Sequence, residues 1–340
     1  ELNLYLIDFS GVEFNTYANH QLPHARVIAP EAEREFGLSI LTELVEEGNR
    51  RMTLCRENEV SNIVDLKVRH PGIKVPRLLV IIDEFQKIFE IENDAISREA
   101  NSKIHIIIQE FRKFGINLIL ATQRLPSGSI LPKDLIANRV VFKSSANDFA
   151  ALITLPSTLR VPQLRTGECI YNSESGSQYD NTRVQGLFIS MNDINSLLDN
   201  VFAHSKHRGV GNSNMIVFRG NDLPSFCERR IEKGHCFTTT IPTEVGIYLG
   251  ESIAINDTDV CAVIRKETGN NIIVIGGEQK VAQRIAYYAT LSTTTAHSDN
   301  SAIFYVFNHL RPEEDIPELN DTFMSLPFVV KMANKTDDVI

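Results

Sequence analysis

Short apolar runs that end on polar side chains recur along the first part of the chain. Leu2 to Phe9 reads LNLYLIDF and carries Asp8 near its end. Leu78 to Ile82 reads LLVII and meets Asp83 and Glu84, while Ile116 to Ala121 leads into Gln123 and Arg124. Runs of this length and apolarity suit strands buried on both faces of a parallel sheet. Between them, Leu41, Leu44, Val45, Met52 and Cys55 fall at helical spacing from Leu38 to about Cys55, with Glu and Arg on the other side. That pattern predicts an amphipathic helix. Ile104, Ile107, Ile108 and Phe111 repeat at i, i+3, i+4 and i+7 over a second helix, which should stop at Gly115 because glycine tolerates a left-handed cap. Pro71 and Pro76 punctuate the loop before the second strand, Val140 to Lys143 reads as a further strand, and Arg165 to Asn181 as loop or hairpin. Strands alternating with helices specify an α/β fold with a parallel sheet.

The chain has 340 residues, which favours two domains over one. Between Phe202 and Asn214 the sequence loses its apolar periodicity and gathers Gly, Ser, Asn and His, so a boundary is expected at 204/205. Beyond it, strands are expected at Met215 to Phe218, Val245 to Leu249, Cys261 to Arg265, Asn271 to Ile275 and Ala302 to Phe307, with a helix near Gln279 to Leu291. The late run SAIFYVFNHL echoes the opening LNLYLIDFSG, which would make the second half the start of another α/β unit.

Composition excludes several function classes. Lys and Arg number 34 against 43 Asp and Glu, a formal net charge of −9, so any nucleic-acid contact must be local rather than driven by a global positive field. The five cysteines are scattered without CxxC spacing, which argues against a zinc site or a disulfide framework. The dispersed His20, His24, His204, His207 and His235 lack metal-ligand spacing. No apolar run reaches the roughly 18 residues that a membrane span needs.

The sharpest chemical signal is LLVIIDEF. At such a strand end, in a phosphate-handling site, Asp83 can hold Mg2+ through a water while Glu84 orients or deprotonates the attacking water. The same pair also suits a merely solvated strand end, and context must decide. Gln123, at the end of the strand that should neighbour it, can bond both a terminal phosphate and the attacking water. Ordering its own loop is the other reading. Arg50 and Arg51 suit a phosphate, a neighbour in a ring or a charged helix face.

Taken in order, LYLIDFSGVEF, LPHARV, EEGNRRM, LLVIIDEF, EFRKFGI and LILATQR resemble the motifs of FtsK/SpoIIIE-type motor ATPases from about Leu2 to Ser190, and are also similar to type VII secretion ATPase modules. The resemblance implies a RecA-like P-loop NTPase core with a parallel sheet, ATP and Mg2+ as cofactors, and assembly into a hexameric ring with nucleotide between neighbours. It assigns Asp83 and Glu84 the Walker B role, Gln123 that of sensor, and Arg112 that of an arginine finger. Arg112 lies off the Ile104/Ile107/Phe111 stripe, and its planar, permanent charge suits a neighbour's γ-phosphate, though a plain surface arginine fits too. The family's GxxxxGK[ST] loop is not found in the first half and is expected upstream of Glu1, so this segment alone is expected to be inactive.

The second half offers a degenerate version of that loop after NIIVI. Gly276 and Gly277 are present, but Val281, Ala282 and Gln283 stand at the positions of the second glycine, the lysine and the hydroxyl. Lys280 falls two places early, and Glu278 would repel a phosphate. A second, degenerate α/β ATPase-like module over 205–340 is the expectation. The first functional reading is a segment of an ATP-driven motor translocating double-stranded DNA, in the cytoplasm or at the cytoplasmic face of a membrane. A type VII secretion-like motor moving a protein substrate, and a non-catalytic assembly module, are the alternatives.

Overall fold

A computed structural model of the chain describes residues 2–20, 22–125, 133–155, 163–208, 215–220, 244–255, 259–265, 267–268, 271–275, 285–286, 289–290, 303–307 and 329–333. The chain divides into two compact units, Glu1–Asp222 and Leu223–Ile340.

In chain order the first unit runs β1 (Leu2–Asp8), α1 (Asn15–Ala18), β2 (Ala25–Glu31), α2 (Arg34–Glu57), α3 (Ile63–Arg69), β3 (Arg77–Asp83), α4 (Ala95–Glu110) and β4 (Ile116–Leu120). It continues through β5 (Arg139–Phe142), α5 (Ala146–Leu152), β6 (Glu168–Asn172), β7 (Asn181–Gln185), α6 (Met191–His207) and β8 (Ile216–Arg219). Short 3-10 turns follow β3 at Phe85–Phe89 and α4 at Arg112–Phe114. The main sheet has the order β4-β3-β1-β2-β8, with every neighbouring pair parallel. All its strands therefore end at one edge, and the loops that follow them gather there.

Helices cover both faces of the sheet. On one, α2 and α4 bury Phe36, Ile40, Leu41, Leu44, Ala100, Ile104 and Ile107, and Tyr5 of β1 reaches Glu43 of α2. On the other, Leu6, Ala25 and Ile28 of the sheet cluster with Leu22 and Leu198, the latter from α6. Most of the expected apolar positions, such as Leu41, Leu44, Ile104 and Ile107, lie on the faces that meet the sheet, whereas Met52 of the α2 stripe is exposed. Gly115 ends the turn after α4 at φ +79°, as the sequence predicts, and its carbonyl accepts from the Leu78 backbone N–H at 2.8 Å to start β3 and β4 in register. The expected α/β core with a parallel sheet is what the chain forms.

Three features differ from the sequence reading. β2 was not expected as a strand, because Arg26 and Pro30 interrupt its apolar run, yet it is a central strand with Val27, Ile28 and Ala29 fully buried or nearly so. β5 is a strand as expected but belongs to a separate antiparallel sheet, β5-β6-β7, packed on α5 through Val141, Phe149, Ile153 and Ile170. The Arg165 to Asn181 stretch supplies β6 and the start of β7. Lastly, the strand near 215–218 belongs to the first unit: β8 pairs with β2, and its Phe218 stacks on Phe36 of α2 with ring centroids 3.8 Å apart. The first unit consequently passes the expected 204/205 boundary.

In the second unit, β9 (Glu244–Glu251) and β10 (Asp259–Arg265) form an antiparallel hairpin closed by an Arg265 Nε to Glu244 Oε1 contact of 2.6 Å. β11 (Ile303–Phe307) pairs in parallel with β12 (Val329–Ala333). The expected strand at Asn271 to Ile275 is not formed: these residues are exposed and carry no strand pairing. Of the helix expected near Gln279 to Leu291, residues 285–286 and 289–290 are helical. Gly276, Gly277 and Lys280 lie outside the described residues. Cys55 and Cys169 are free, and Cys261 is disulfide-bonded. No helix among the described residues is long and apolar enough to cross a membrane.

Candidate functional site

The carboxyl edge of the main sheet carries a group of carboxylates whose placement follows from strand register. Asp8 of β1 is the direct partner of Asp83 of β3. Asp8 is fully buried and closes the loop that follows it, accepting from the Ser10 backbone N–H at 2.6 Å, the Ser10 hydroxyl at 2.5 Å, the Val12 N–H at 2.9 Å and the Glu13 N–H at 2.7 Å. Burial alone would push the Asp8 carboxyl upward, but these hydrogen bonds outweigh it and hold the group below its ordinary range.

Asp83 is shifted the other way. Burial is the largest cause, and the negative charges of Asp8, Glu84 and Glu13 add to it, against the downward pull of the Glu84 backbone N–H. A group in this position gains most from a nearby cation. Its oxygen donors are of the hard kind that Mg2+ prefers, though no cluster of three or more metal-ligating side chains occurs among the described residues.

Glu84 follows with a left-handed backbone, φ 50° and ψ 39°, an uncommon state for a non-glycine residue and a form of strain that gathers at functional sites. Its side chain is turned inward, 7% exposed. Gln86 Nε2 donates to Glu84 Oε2, and Gln86 Oε1 in turn accepts from the Thr122 hydroxyl at 2.5 Å. Thr122 stands just past β4, beside Gln123 and Arg124. The ends of β3 and β4 are locked to one another by Ala121 N–H to Ile82 C=O at 2.9 Å and Phe85 N–H to Ala121 C=O at 3.2 Å.

Neighbouring elements hold this edge in place. Lys87 Nζ donates to the Phe9 carbonyl at 2.6 Å, tying the turn after β3 to the loop after β1. Arg34, at the start of α2, reaches the Ile88 carbonyl at 3.0 Å and pairs with Asp94, the amino-terminal cap of α4, at 2.9 Å.

The fold therefore brings Asp83, Glu84 and the Gln123 segment to one edge on adjoining strands. The amide that touches Glu84, however, belongs to Gln86, and Gln123 is exposed. Arg112 is not part of this cluster. It is exposed on the turn before β4, at the opposite edge of the sheet, about 20 Å away at the usual rise of roughly 3.3 Å per strand residue. Arg51, left open as a phosphate contact, is 2% exposed and structural: it bonds Glu47 at 2.7 Å and the Phe114 carbonyl at 3.0 Å. Gln86 and Thr122 were the residues that sequence reasoning missed, and Asp8, seen at a strand end, was not read as a partner of Asp83. The readable signal for Asp8 was that LYLID and LVIID end alike.

No family model matches the chain. By sequence it is 29% identical to the DNA translocase FtsK of Staphylococcus epidermidis over 224 residues, covering 61% of this chain and 26% of that protein. It is 27% identical to the DNA translocase SftA of Bacillus subtilis over 257 residues, covering 71% of this chain and 26% of SftA. The chain thus spans about a quarter of the length of these relatives. Among solved structures, the cytoplasmic domain of the type VII secretion ATPase EccC from Thermomonospora curvata is similar at a TM-score of 0.57 and 17% identity, covering 99% of this chain and 40% of that one. EssC ATPases 2 and 3 from Geobacillus thermodenitrificans align at a TM-score of 0.51 and 14% identity, covering 99% and 60%. Both structural matches take in the two compact units and concern the fold alone. In sequence the chain is thus similar to FtsK and SftA DNA translocases, and in fold to the EccC and EssC ATPases.

Proposed function

We propose that this chain is a segment of an ATP-driven ring motor that moves double-stranded DNA, with ATP and Mg2+ bound at the carboxyl edge of the main sheet. The observation that carries the reading is the convergence of Asp83, Glu84 and the Thr122–Arg124 segment on adjoining parallel strands, in a chain whose relatives are DNA translocases. Asp83 would hold Mg2+ through a water, and the ion would supply charge neutralisation at the phosphates. Glu84, buried and held on one oxygen, would take the proton of the attacking water with the other. Gln123, exposed just past β4, would meet a terminal phosphate. Arg112 lies at the opposite end of β4 from its own carboxylates, so any contact with a γ-phosphate would be to nucleotide bound by a neighbouring copy, as a closed ring requires. DNA contact would run through the sugar-phosphate backbone, in keeping with the acidic composition.

The test is ATP hydrolysis by the protein at its full natural length, for wild type, Glu84→Gln and Arg112→Ala, with and without duplex DNA. Each substitution should lower turnover on the order of 10³-fold. Equal mixing of the two variants should restore part of the activity, since a ring then contains interfaces with both groups intact. Binding of duplex DNA should weaken linearly in log affinity against log salt. Wild-type turnover in both variants would overturn the site assignment. Stimulation by a polypeptide but not by DNA would move the assignment to a protein-secreting motor, which the fold shared with EccC and EssC accommodates.

A further inference from the structure

We propose that Gln86 and Thr122 form a hydrogen-bonded relay that positions the Glu84 carboxylate and couples it to the loop bearing Gln123. The inference rests on the reading of Glu84 given above and adds two positioning residues to it. Its basis is a matter of donor and acceptor inventory. An ionised carboxylate only accepts, so Gln86 must present its Nε2 to Glu84 Oε2, which fixes the orientation of the amide and turns Oε1 toward Thr122. The Thr122 hydroxyl then has two acceptors for its single proton, Gln86 Oε1 and the Arg124 carbonyl, each at 2.5 Å. The Arg124 N–H also donates to Thr122 Oγ1, at 3.2 Å. The hydroxyl is therefore a branch point. Given to Gln86, its proton braces the amide and leaves Glu84 with Oε1 as the free oxygen. Given to Arg124, it shapes the loop that spans Gln123 and releases the brace. A ligand that moves the Gln123 loop would thereby alter how firmly Glu84 is aimed, with no contact of its own to Glu84.

The experiment measures steady-state ATP hydrolysis at full natural length for Gln86→Ala, Thr122→Val, Thr122→Ser, the Gln86→Ala/Thr122→Val double variant and Glu84→Gln. Loss of aim predicts a fall in kcat of roughly tenfold for Gln86→Ala and for Thr122→Val, with KM for ATP changed by less than about twofold. Because the two residues act in series, the double variant should fall no further than the single ones. Thr122→Ser, which keeps the hydroxyl, should recover most of the lost rate. Thr122→Val is nearly isosteric, so the relay remains testable even if Gln86→Ala fails to fold. Unchanged kcat in both single variants, losses that multiply in the double variant, or a Thr122→Ser rate as low as that of Thr122→Val would each overturn the relay. Undiminished turnover in Glu84→Gln would instead remove the reading of Glu84 on which it stands, and the relay with it.

Discussion

Asp8 shows how much organisation one buried carboxylate can impose. Its two oxygens gather three backbone N–H groups and a hydroxyl from the next five residues, so the loop leaving β1 is wound around it. The folded-state pKa lies below that of the unfolded chain. Its stabilisation is accordingly complete above the ordinary carboxylate range, near about pH 4, and is lost as pH falls through the folded value. Asp8→Asn should destabilise the fold by about 2 kcal/mol at neutral pH, because charge-assisted bonds become neutral or are lost. Urea denaturation followed from pH 7 downward checks this, and the gap between wild type and variant should close in acid. A gap that widens in acid would assign the loop's order to something other than the ionised carboxylate.

At the scale of the element, the motif EEGNRRM explains itself as a rivet between α2 and the end of α4. Glu47 receives both Arg50 and Arg51, and Arg51 passes on to the carbonyl of Phe114, which fixes the turn that presents Arg112. Gly48 lies against the ring of Phe111, which is fully buried; a Cβ added at Gly48 would come within 2.4 Å of two of its ring carbons. Helix propensity favours alanine here by about 1 kcal/mol, and overpacking opposes it by about 1–3 kcal/mol. The ring has no room to yield in a filled core, so the steric effect wins. Gly48→Ala should lower the thermal midpoint, as differential scanning calorimetry would show. A midpoint equal to or above that of wild type would mean that Phe111 has a second rotamer the core accepts.

At the scale of the whole molecule, the first unit is completed by the segment that returns after α6. β8 covers the outer edge of β2, Phe218 stacks on Phe36, and Arg219 reaches Asn19 at 3.1 Å. A fragment spanning residues 1–222 should therefore be more stable than one spanning 1–204. The difference should be roughly 2–3 kcal/mol, or about 5–10 °C in the thermal midpoint, from the lost aromatic packing and the bared strand edge. Circular dichroism melts of the two fragments make the comparison. Equal midpoints would show that β8 adds little to the unit.

Much of this architecture was legible in the order of the residues. Strands β1, β3 and β4 and helices α2 and α4 carry their periodicity openly, because each must hide a face or a whole strand from water, and that demand is written locally. The acidic ends of β1 and β3 were equally visible. Register was not: that Asp8 lies opposite Asp83, and that Thr122 reaches Gln86, depends on which strands become neighbours. The same holds for β2, whose place inside the sheet between β1 and β8 overrides a weak local pattern, and for β8, whose partner is far away in the chain. By itself the sequence determined β1, β3, β4, α2 and α4 and the acidic ends of β1 and β3, since these rest on side-chain type and short spacing. Only tertiary structure decided which polar groups far apart in the chain touch, such as Thr122 with Gln86 and Lys87 with the Phe9 carbonyl, because hydrogen bonds reach about 3 Å and strand pairing sets distances on that scale.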